Sequence, residues 1–552
     1  MIRDNVITAL QKATGEKDIH LEFSESEEHG DYSTNIVLKS ERVKGESPLQ
    51  KAEELIQKLL QDNSLMKLVE KIEVAGPGFI NFFIKTEYMM EQLDEINRKG
   101  IEYGKSPDKG IRIMLEFGQP NTHKLPHIGH LYSYILGESL ARILEANGHE
   151  IFRANYQGDI GLHVAKCLWA FRKNDSQPPQ SLEEKVKYLQ DMYQKGSLAF
   201  EEDEQTKSEI LDLNKKIYDH DPEIDALWKK TRQWSIDYYK KFEQRLGIKF
   251  DKYYFESEVY KKGIDIVQKN LGEVFVESQG AIIFEGSKFG LHDRVFITKH
   301  NTPTYEAKDL ALENIKMADW PFDLLIITTA NEQNEYFKVV FKALEALDSK
   351  FIDKLKHIGF GMVNLKSGKM SSRTGNILSA IDLVNMAISE VEKLSDGEGD
   401  VDAVGLGAVK YSFLKTNPLQ NVQFDFGESI STQGNSGPYI QYTYARTQSV
   451  LEKARSTKSE VPSISDLERE ERAVMRLLVR FPEVITTAAK MYSPNLLAQY
   501  LFELAQSFNS FYNSHKIIGS EKQEFRLKLT QATGVVIKNG LSLLGIEAPE
   551  RM

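Results

Sequence analysis

The chain has 552 residues, several times the usual domain size, which predicts about three domains. Its composition, with 41% hydrophobic and 27% charged residues, excludes a mostly disordered chain. No apolar run reaches the roughly 18–20 residues of a membrane span, and the single cysteine, Cys167, excludes a disulfide framework or a zinc site of several thiolates. The net charge of −11 argues against general polyanion binding but not against local basic patches. A polar start without the apolar core of a signal peptide predicts a cytoplasmic protein.

Residues 1–100 are predicted to form an N-terminal α+β domain. The segment SPLQKAEELIQKLLQ carries apolar residues at helical spacing, and IEVAGPGFINFFI has the pattern of a strand, a turn at Gly76-Pro77-Gly78 and a second strand. The charged stretch INRKGIEYGKSPDKG then predicts a connector to the next domain.

Residues 101–400 are predicted to form an α/β domain with a Rossmann-type (HUP-like) parallel sheet. The run IRIMLEF is typical of a strand, and a loop and a helix from about His130 to Ala146 follow it. A charged helical stretch at about 172–252 predicts a surface insertion. The runs GAIIFEG, RVFITK and DLLIITTA alternate with helical stretches, so we expect them to complete the same parallel sheet.

Residues 401–552 are predicted to form an all-α helical bundle, because no strand pattern persists after about Asp400.

The first chemical motif is the tetrapeptide His127-Ile128-Gly129-His130 at the start of a predicted helix. A helix N-terminus at the mouth of a parallel sheet offers free N–H groups and a partial positive charge to phosphate. Two imidazoles three residues apart can face the same triphosphate, and Gly129 would let an adenine ring lie on the backbone. Taken alone, the motif fits equally well a loop with two surface histidines.

The second motif, KMSSRTGN, lies about 240 residues downstream in a polar loop. We expect this basic loop to close over the leaving pyrophosphate, with Lys369 as the catalytic cation. The expected ATP contacts in it are Met370, Ser371, Ser372 and Arg373. An isolated loop of this composition is usually a solvated turn, but the order and distance of the two motifs resemble the signatures of class I aminoacyl-tRNA synthetases.

Further segments resemble the arginyl-tRNA synthetase family over nearly the whole length. These segments are GDYSTNI (30–36), VAGPGFINF (74–82), EFGQPNTHKLPHIGH (116–130), NYQGDIG (155–161), TYEAKDLA (304–311), GNSGPYIQYTYAR (434–446) and LGIEAPERM (544–552). The resemblance implies a tRNA-contacting N-terminal domain, a class I catalytic domain and an anticodon-binding helical domain.

The resemblance also implies an arginine pocket, formed by Glu116, Asn121, Tyr305, Asp309 and Gln333. A guanidinium is planar, permanently charged and offers five donors in a fixed fork. If residues 304–311 are helical, Tyr305 and Asp309 share a face, and Asp309 can form a charge-assisted pair with the guanidinium. An ordinary i,i+4 pair at a helix N-terminus is the alternative.

Two positions depart from the family pattern. Ser372 stands where the family usually has a second lysine, and the resemblance implies that Lys124, three residues before His127, replaces that cation. Tyr336 stands three residues after Gln333, where a histidine is frequent.

In the segment GPYIQYTYAR, we expect aromatic and polar side chains to contact tRNA, since aromatic rings stack on splayed bases. The predicted contacts are Tyr439, Gln441, Tyr442 and Arg446. Tyrosines at helical spacing are, however, more often core residues. We expect no zinc and Mg²⁺ bound only through phosphates.

These observations predict a monomeric enzyme that uses ATP to join L-arginine to tRNA(Arg) through an arginyl-adenylate. The resemblance further implies that adenylate forms only when tRNA is bound. Two alternatives stay open: a small-molecule nucleotidyltransferase or ligase of the same fold, and a synthetase-like RNA-binding protein that has lost catalysis.

Overall fold

The structure is a computed structural model that describes residues 1–24, 26–39, 47–366, 379–394, 399–454 and 467–552. No helix among these residues is both long enough and apolar enough to cross a membrane. The three-part organisation expected from the sequence, with a parallel-sheet α/β region between an α+β region and a helical region, is confirmed.

In the described part of the N-terminal region, five α-helices accompany a four-stranded antiparallel sheet of order β1-β2-β4-β3. Its elements are α1 (Ile2–Thr14), β1 (Glu22–Phe23), β2 (Tyr32–Thr34), α2 (Ile36–Lys39), α3 (Pro48–Leu59), α4 (Asn63–Met66), β3 (Val69–Ala75), β4 (Phe79–Ile84) and α5 (Thr86–Lys99). The predicted strand–turn–strand is the β3–β4 hairpin, in which Gly76 has a φ of +55° that a residue with a side chain rarely adopts.

The central region is built on a five-stranded parallel sheet of order β12-β11-β5-β6-β7. Its main elements are β5 (Arg112–Glu116), α6 (Ile128–Ala146), β6 (Glu150–Gln157), β7 (Lys252–Phe255), α11 (Glu256–Lys269), α12 (Tyr305–Asp319), β11 (Leu324–Ala330), α13 (Asn334–Leu347) and β12 (Leu355–Phe360). The chain runs outward from β5 through β6 to β7 and then returns to the other side of β5. This reversal leaves a crevice at the carboxyl ends of β5 and β11, where open α/β sheets bind their ligands.

Alternate residues of β5 face opposite layers, as the period of a strand requires. Ile113 and Leu115 pack in the core that includes α6, whereas Met114 packs in the core that includes α12. Glu116 follows Met114 at the same spacing and therefore points toward α12, where its carboxylate pairs with a lysine.

A helical insertion separates β6 from β7, as the composition of residues 172–252 predicts. Its helices are α7 (Leu162–Arg172), α8 (Leu182–Glu202), α9 (Glu204–Tyr218) and α10 (Pro222–Arg245). The limits of the domains themselves stay predictions.

The prediction that GAIIFEG and RVFITK complete the parallel sheet is wrong. They form β9 (Ala281–Phe284) and β10 (Arg294–Ile297), which join β8 (Val276–Ser278) in a separate antiparallel sheet. The connection at 285–293 is too short for the crossover of about a dozen residues that parallel neighbours need. DLLIITTA does form β11, next to β5.

The C-terminal region is helical but contains one short strand that the sequence did not predict. Its elements are α14 (Ala380–Leu394), α15 (Val401–Leu414), β14 (Val422–Phe424), α16 (Phe426–Ile430), α17 (Gly437–Ala454), α18 (Arg469–Met491), α19 (Pro494–Ser514) and α20 (Gln523–Leu543). Strand β14 pairs in parallel with β13 (Val363–Leu365), which follows the main sheet.

A buried ion-pair network joins the first and last regions. Asp31, in the GDYSTNI segment, is 1% exposed, and its carboxylate lies 2.5 Å from Nε of Arg476 and 3.3 Å from Arg472, both on α18. The next residue, Tyr32, donates its hydroxyl proton to Glu483 of the same helix. Asp31 and Tyr32 of the GDYSTNI segment therefore hold the N-terminal region against α18 of the C-terminal region. The resemblance implied that the N-terminal domain contacts tRNA.

Candidate active site

The two histidines of the first motif lie at the N-terminus of α6, in the crevice between β5 and β11. His127 is the N-cap: its Nδ1 accepts the N–H of Gly129 at 3.0 Å, and its own N–H donates to Nδ1 of His130 at 3.2 Å. The two ring centroids are 3.9 Å apart. Since both Nδ1 atoms accept, a neutral ring carries its proton on Nε2, and each imidazole offers an N–H donor on its free side.

Both rings are neutral at pH 7. Burial lowers the pKa of His130 to about 3, with His127 and Lys124 contributing repulsion. Burial and the nearby Lys124 also lower the pKa of His127. The pair therefore offers two N–H donors without adding two positive charges of its own.

Residues 117–127 connect β5 to this helix and carry three of the predicted site residues, Asn121, Lys124 and His127. Asn121 forms an isolated bridge with Gly158 of the loop after β6. The ammonium of Lys124 lies 4.1 Å from the ring centre of Tyr193 on α8. Lys124 is thus near the histidine pair but rests on the insertion.

A third histidine, His123, is fully buried in the same loop. Its ring nitrogens bond the hydroxyls of Thr122 and Thr231, and burial lowers its pKa to about 3. It is a structural residue of the loop. Among the described residues, no group of three or more His, Cys, Asp and Glu side chains is placed to hold a metal ion.

Two carboxyl groups contact one buried ammonium near the predicted arginine pocket, and a third carboxyl group, that of Asp309, lies on the same helix. Lys316 of α12 is fully buried and pairs with Glu116 at the end of β5, and with Glu313 at 2.9 Å. Burial, opposed by Lys316, raises the pKa of Glu313 to about 8. Asp309 lies one helical turn before Glu313, so the cluster holds more acid than base.

Asp309 is 9% exposed and accepts the hydroxyl proton of Tyr336 at 2.7 Å. Burial raises its pKa to about 7, which the bond from Tyr336 opposes and the charge on Glu116 reinforces. Tyr336 stands where the family frequently has a histidine, and it thus contacts Asp309, a predicted arginine ligand, directly.

The remaining predicted arginine ligands lie at the rim. Tyr305 begins α12, as the helical interpretation of 304–311 requires, and its side chain is 64% exposed. Gln333 is exposed in the turn that follows β11. The structure therefore brings residues from β5, α12 and the turn after β11 to one edge of the sheet.

Sequence reasoning missed Glu313, Lys316 and the Tyr336 contact. The segment KDLALENIK did carry a signal, because residues 309, 313 and 316 recur at the spacing of one helix face. A lysine and a glutamate on a helix normally predict a solvated ion pair. The cluster of Glu313 and Lys316 with Glu116 is therefore recognised only from the structure, which buries this face of α12.

The second motif lies outside the described residues, so Lys369, Met370, Ser371, Ser372 and Arg373 stay predictions. The chain that follows it is placed beside the histidines. Ser379 forms a bridge with His127, and the N–H of Ala380 donates to the carbonyl of Pro126 at 2.8 Å.

The predicted tRNA ligands occupy α17, which packs against α15 and α20. Tyr442 is exposed, and the guanidinium of Arg446 lies between its ring and that of Tyr512, 4.9 and 4.8 Å from their centres. These three side chains line a cavity of about 710 Å³ that also reaches the C-terminal residue Met552.

The other two predicted tRNA ligands, Tyr439 and Gln441, are less accessible to RNA. Tyr439 is half-buried and its hydroxyl accepts a bond from Asn509. Gln441 is fully buried, and its amide donates to the carbonyls of Ala403 and Glu547. This packing leaves no exposed face on Gln441 for RNA, so we do not retain it as a tRNA ligand.

Comparison with known proteins identifies this arrangement. The family described as "tRNA synthetases class I (R), catalytic domain" matches residues 92–426. The parallel-sheet region is thus the catalytic domain of a class I aminoacyl-tRNA synthetase. Residues 1–84 match "Arginyl tRNA synthetase N terminal domain" and residues 440–552 match "DALR anticodon binding domain". The chain belongs to the arginyl-tRNA synthetase family.

Individual relatives agree with this assignment over the whole length. The arginine–tRNA ligase of Bacteroides thetaiotaomicron is 31% identical, with 99% of this chain and 98% of that protein covered. That of Treponema denticola is 33% identical, with coverages of 97% and 95%. The Thermus thermophilus arginyl-tRNA synthetase structure shares the fold at a TM-score of 0.84 and 24% identity, each chain being fully covered. As a member of this family, the protein is an arginine–tRNA ligase.

Proposed function

We propose that the chain charges tRNA in two steps at the crevice between β5 and β11. In the first step, a carboxylate oxygen of L-arginine attacks the α-phosphate of ATP, a P–O bond breaks, and pyrophosphate leaves with the bonding electrons. In the second step, a ribose hydroxyl at the tRNA 3′ end attacks the arginyl carbonyl, and AMP leaves. No protein nucleophile is needed, because the residues position the reactants and stabilise charge.

The observation that carries this proposal is the acid cluster under the rim. Glu116 and Glu313 share the ammonium of Lys316, and Asp309 adds a third carboxyl group that contacts no cation among the described residues. The cluster lowers its charge by holding protons on Glu313 and partly on Asp309 near pH 7. A buried guanidinium would supply the missing positive charge and five donors for the carboxylate oxygens. Asp309 is the proposed guanidinium ligand, with Tyr305 beside it. Glu116, Asn121 and Gln333 are proposed around the ammonium and carboxylate of the substrate.

The histidine pair is proposed to hold the triphosphate. Two neutral Nε2–H donors and the free N–H groups of the α6 N-terminus favour the crowded, charged α-phosphate under attack. Gly129 would leave space for the adenine ring. Mg²⁺ bound to phosphate oxygens would neutralise part of their charge, a mode that needs few protein ligands.

We propose that the cations on the pyrophosphate side are Lys369 and Lys124. The charge that Ser372 lacks would come from Lys124 if its ammonium turns from Tyr193 toward the phosphates. Met370, Ser371, Ser372 and Arg373 are proposed as further ATP contacts. At the RNA end, Tyr442 and Arg446 are proposed to contact the anticodon loop, with Tyr439 at the edge of that surface.

The test is arginine-dependent exchange between ATP and labelled pyrophosphate, with and without cognate tRNA. We expect exchange only when arginine and tRNA are both present, and lysine in place of arginine should support none. Exchange without RNA would contradict the tRNA requirement. Absence of exchange and of tRNA charging under every condition would favour a protein that has lost catalysis. The monomeric state, the cytoplasmic location and the absence of zinc stay predictions.

A further inference from the structure

The helical insertion holds the loop that leads to the histidine pair. Tyr239 of α10 is fully buried, and its hydroxyl oxygen lies 2.6 Å from the carbonyl oxygen of Asn121 and 2.7 Å from that of Lys124. The single phenolic proton is shared between two carbonyls on either side of one tight turn. One side chain of the insertion therefore ties together the backbone of two predicted substrate ligands.

Other side chains of the insertion bond the backbone between and beyond these carbonyls. The N–H of His123 donates to Ser235 Oγ of α10 at 2.9 Å. The N–H of Leu125 donates to Oε1 of Gln190 on α8 at 3.0 Å. Two insertion helices thus fix residues 121–125 from one side.

The loop needs this support because its backbone is strained. His123 has a φ of +63°, a left-handed conformation that is unfavourable for a residue with a side chain. Such a conformation persists only where surrounding contacts impose it. Here the reversal at His123 separates Asn121 from Lys124, after which the chain continues through Pro126 to the N-cap His127.

We propose that Tyr239 is a positioning residue for adenylate formation, which acts on the reaction through loop 121–125. Without its hydroxyl, the two carbonyls lose this donor and the turn at His123 relaxes. Asn121 and Lys124 are then displaced relative to the histidine pair. The inference rests on the proposed function, and it gives the insertion a catalytic purpose beyond covering the sheet.

The test is Tyr239→Phe, which removes the hydroxyl and keeps the buried ring. In tRNA-dependent pyrophosphate exchange we expect kcat to fall about tenfold to a hundredfold, since small displacements of reacting groups have effects of that size. The KM for arginine should change much less than kcat, because Asn121 is the only proposed arginine ligand on this loop and Asp309 lies on α12. The matched control is Tyr238→Phe. Its ring is also buried in α10, but its hydroxyl has no hydrogen-bond partner among the described residues, and we expect wild-type kcat.

A second variant guards against a simple folding defect. Ser235→Ala removes the acceptor of the His123 N–H and should lower kcat in the same selective way. In the Lys124→Ala background, the effect of Tyr239→Phe should shrink, because residues that act through one loop are not additive.

The outcomes are distinct. The inference is overturned if folded Tyr239→Phe keeps the wild-type kcat. It is also overturned if Tyr238→Phe loses as much kcat and stability as Tyr239→Phe does, or if the effects of Tyr239→Phe and Lys124→Ala on kcat are fully additive. Wild-type enzyme without arginine-dependent exchange would instead overturn the proposed function, and the inference with it.

Discussion

The proposed role of Asp309 in arginine recognition can be tested by changing the charge of this side chain, either with pH or by substitution. Raising its pKa from 3.8 to about 7 means that ionising this carboxyl in the free site costs about 4 kcal/mol more than in water. A guanidinium recovers that cost only by binding the ionised form. Arginine should therefore bind more tightly as the pH rises through 7, and binding should release a proton.

The size of the pH effect follows from the same value. With a pKa of about 7, roughly a tenth of the sites are ionised at pH 6 and roughly nine-tenths at pH 8, so the KM for arginine should fall about ninefold over this interval. Asp309→Asn should abolish the dependence. It should also raise the KM at pH 8 by at least about tenfold, because charge-assisted bonds contribute on the order of 1.5–3 kcal/mol.

The hydrogen bond from Tyr336 to Asp309 allows a second substitution, which should shift the pH dependence instead of abolishing it. Its hydroxyl stabilises the carboxylate, so Tyr336→Phe should raise the pKa of Asp309 and move the fall in KM to higher pH. The assay is tRNA charging at saturating ATP and tRNA, with arginine varied between pH 6 and 8.5.

A matched control is Glu335→Gln, the same kind of substitution on an exposed carboxylate that pairs with Lys338. It should leave the arginine dependence unchanged. If the wild-type KM for arginine is constant from pH 6 to 8, or Asp309→Asn leaves it unchanged at pH 8, the assignment of Asp309 is wrong.

Three further predictions concern other parts of the chain. Lys124→Ala should lower single-turnover adenylation about a hundredfold at an unchanged KM for arginine, as expected when a donor to the transition state is lost, and adding Ser372→Lys should restore part of the rate. Tyr442→Ala should raise the KM for tRNA about tenfold without affecting ATP, since stacking on one base contributes about 1–3 kcal/mol. Arg476→Met should lower the free energy of unfolding by about 3–5 kcal/mol in a denaturant titration, because it leaves Asp31 buried with less compensation.

Each of these has an outcome that contradicts it. Near-normal adenylation by Lys124→Ala would leave that lysine as a loop residue resting on Tyr193. A wild-type KM for tRNA after Tyr442→Ala would remove the α17 surface from RNA binding. The control for the Arg476 variant is Lys528→Met, which breaks an exposed pair with Asp94 and should have little effect on stability. A loss of stability in Arg476→Met no larger than in this control would contradict the prediction.

The sequence predicted the helices and strands around the site better than it predicted which strands pair and which side chains are buried. The strand–loop–helix around the histidine motif, and the helix that carries Tyr305 and Asp309, follow from local periodicity and motif. The N-cap position of His127 does not, because the sequence predicts that helix only from about His130. The pairing of β9 with β10 in a separate sheet does not, because a short strand-forming run has the same pattern in either sheet. Gln441 illustrates a second limit: a polar residue in a segment predicted to bind RNA is buried against α15 and the C-terminal segment, which no local pattern records.

Electrostatic organisation of the site depends even more on the fold. ATP is strongly negative and arginine is positive, so one cleft has to favour opposite charges a short distance apart. In the proposed complex, the histidines would meet the triphosphate as neutral donors, which avoids a fixed positive charge that would oppose arginine. The acid cluster neutralises itself through Lys316 and through protons on Glu313 and Asp309, which avoids a fixed negative charge that would repel ATP. If Asp309 binds the guanidinium as proposed, the guanidinium itself would complete the ionisation of Asp309. The full negative charge would then develop only in the complex with arginine.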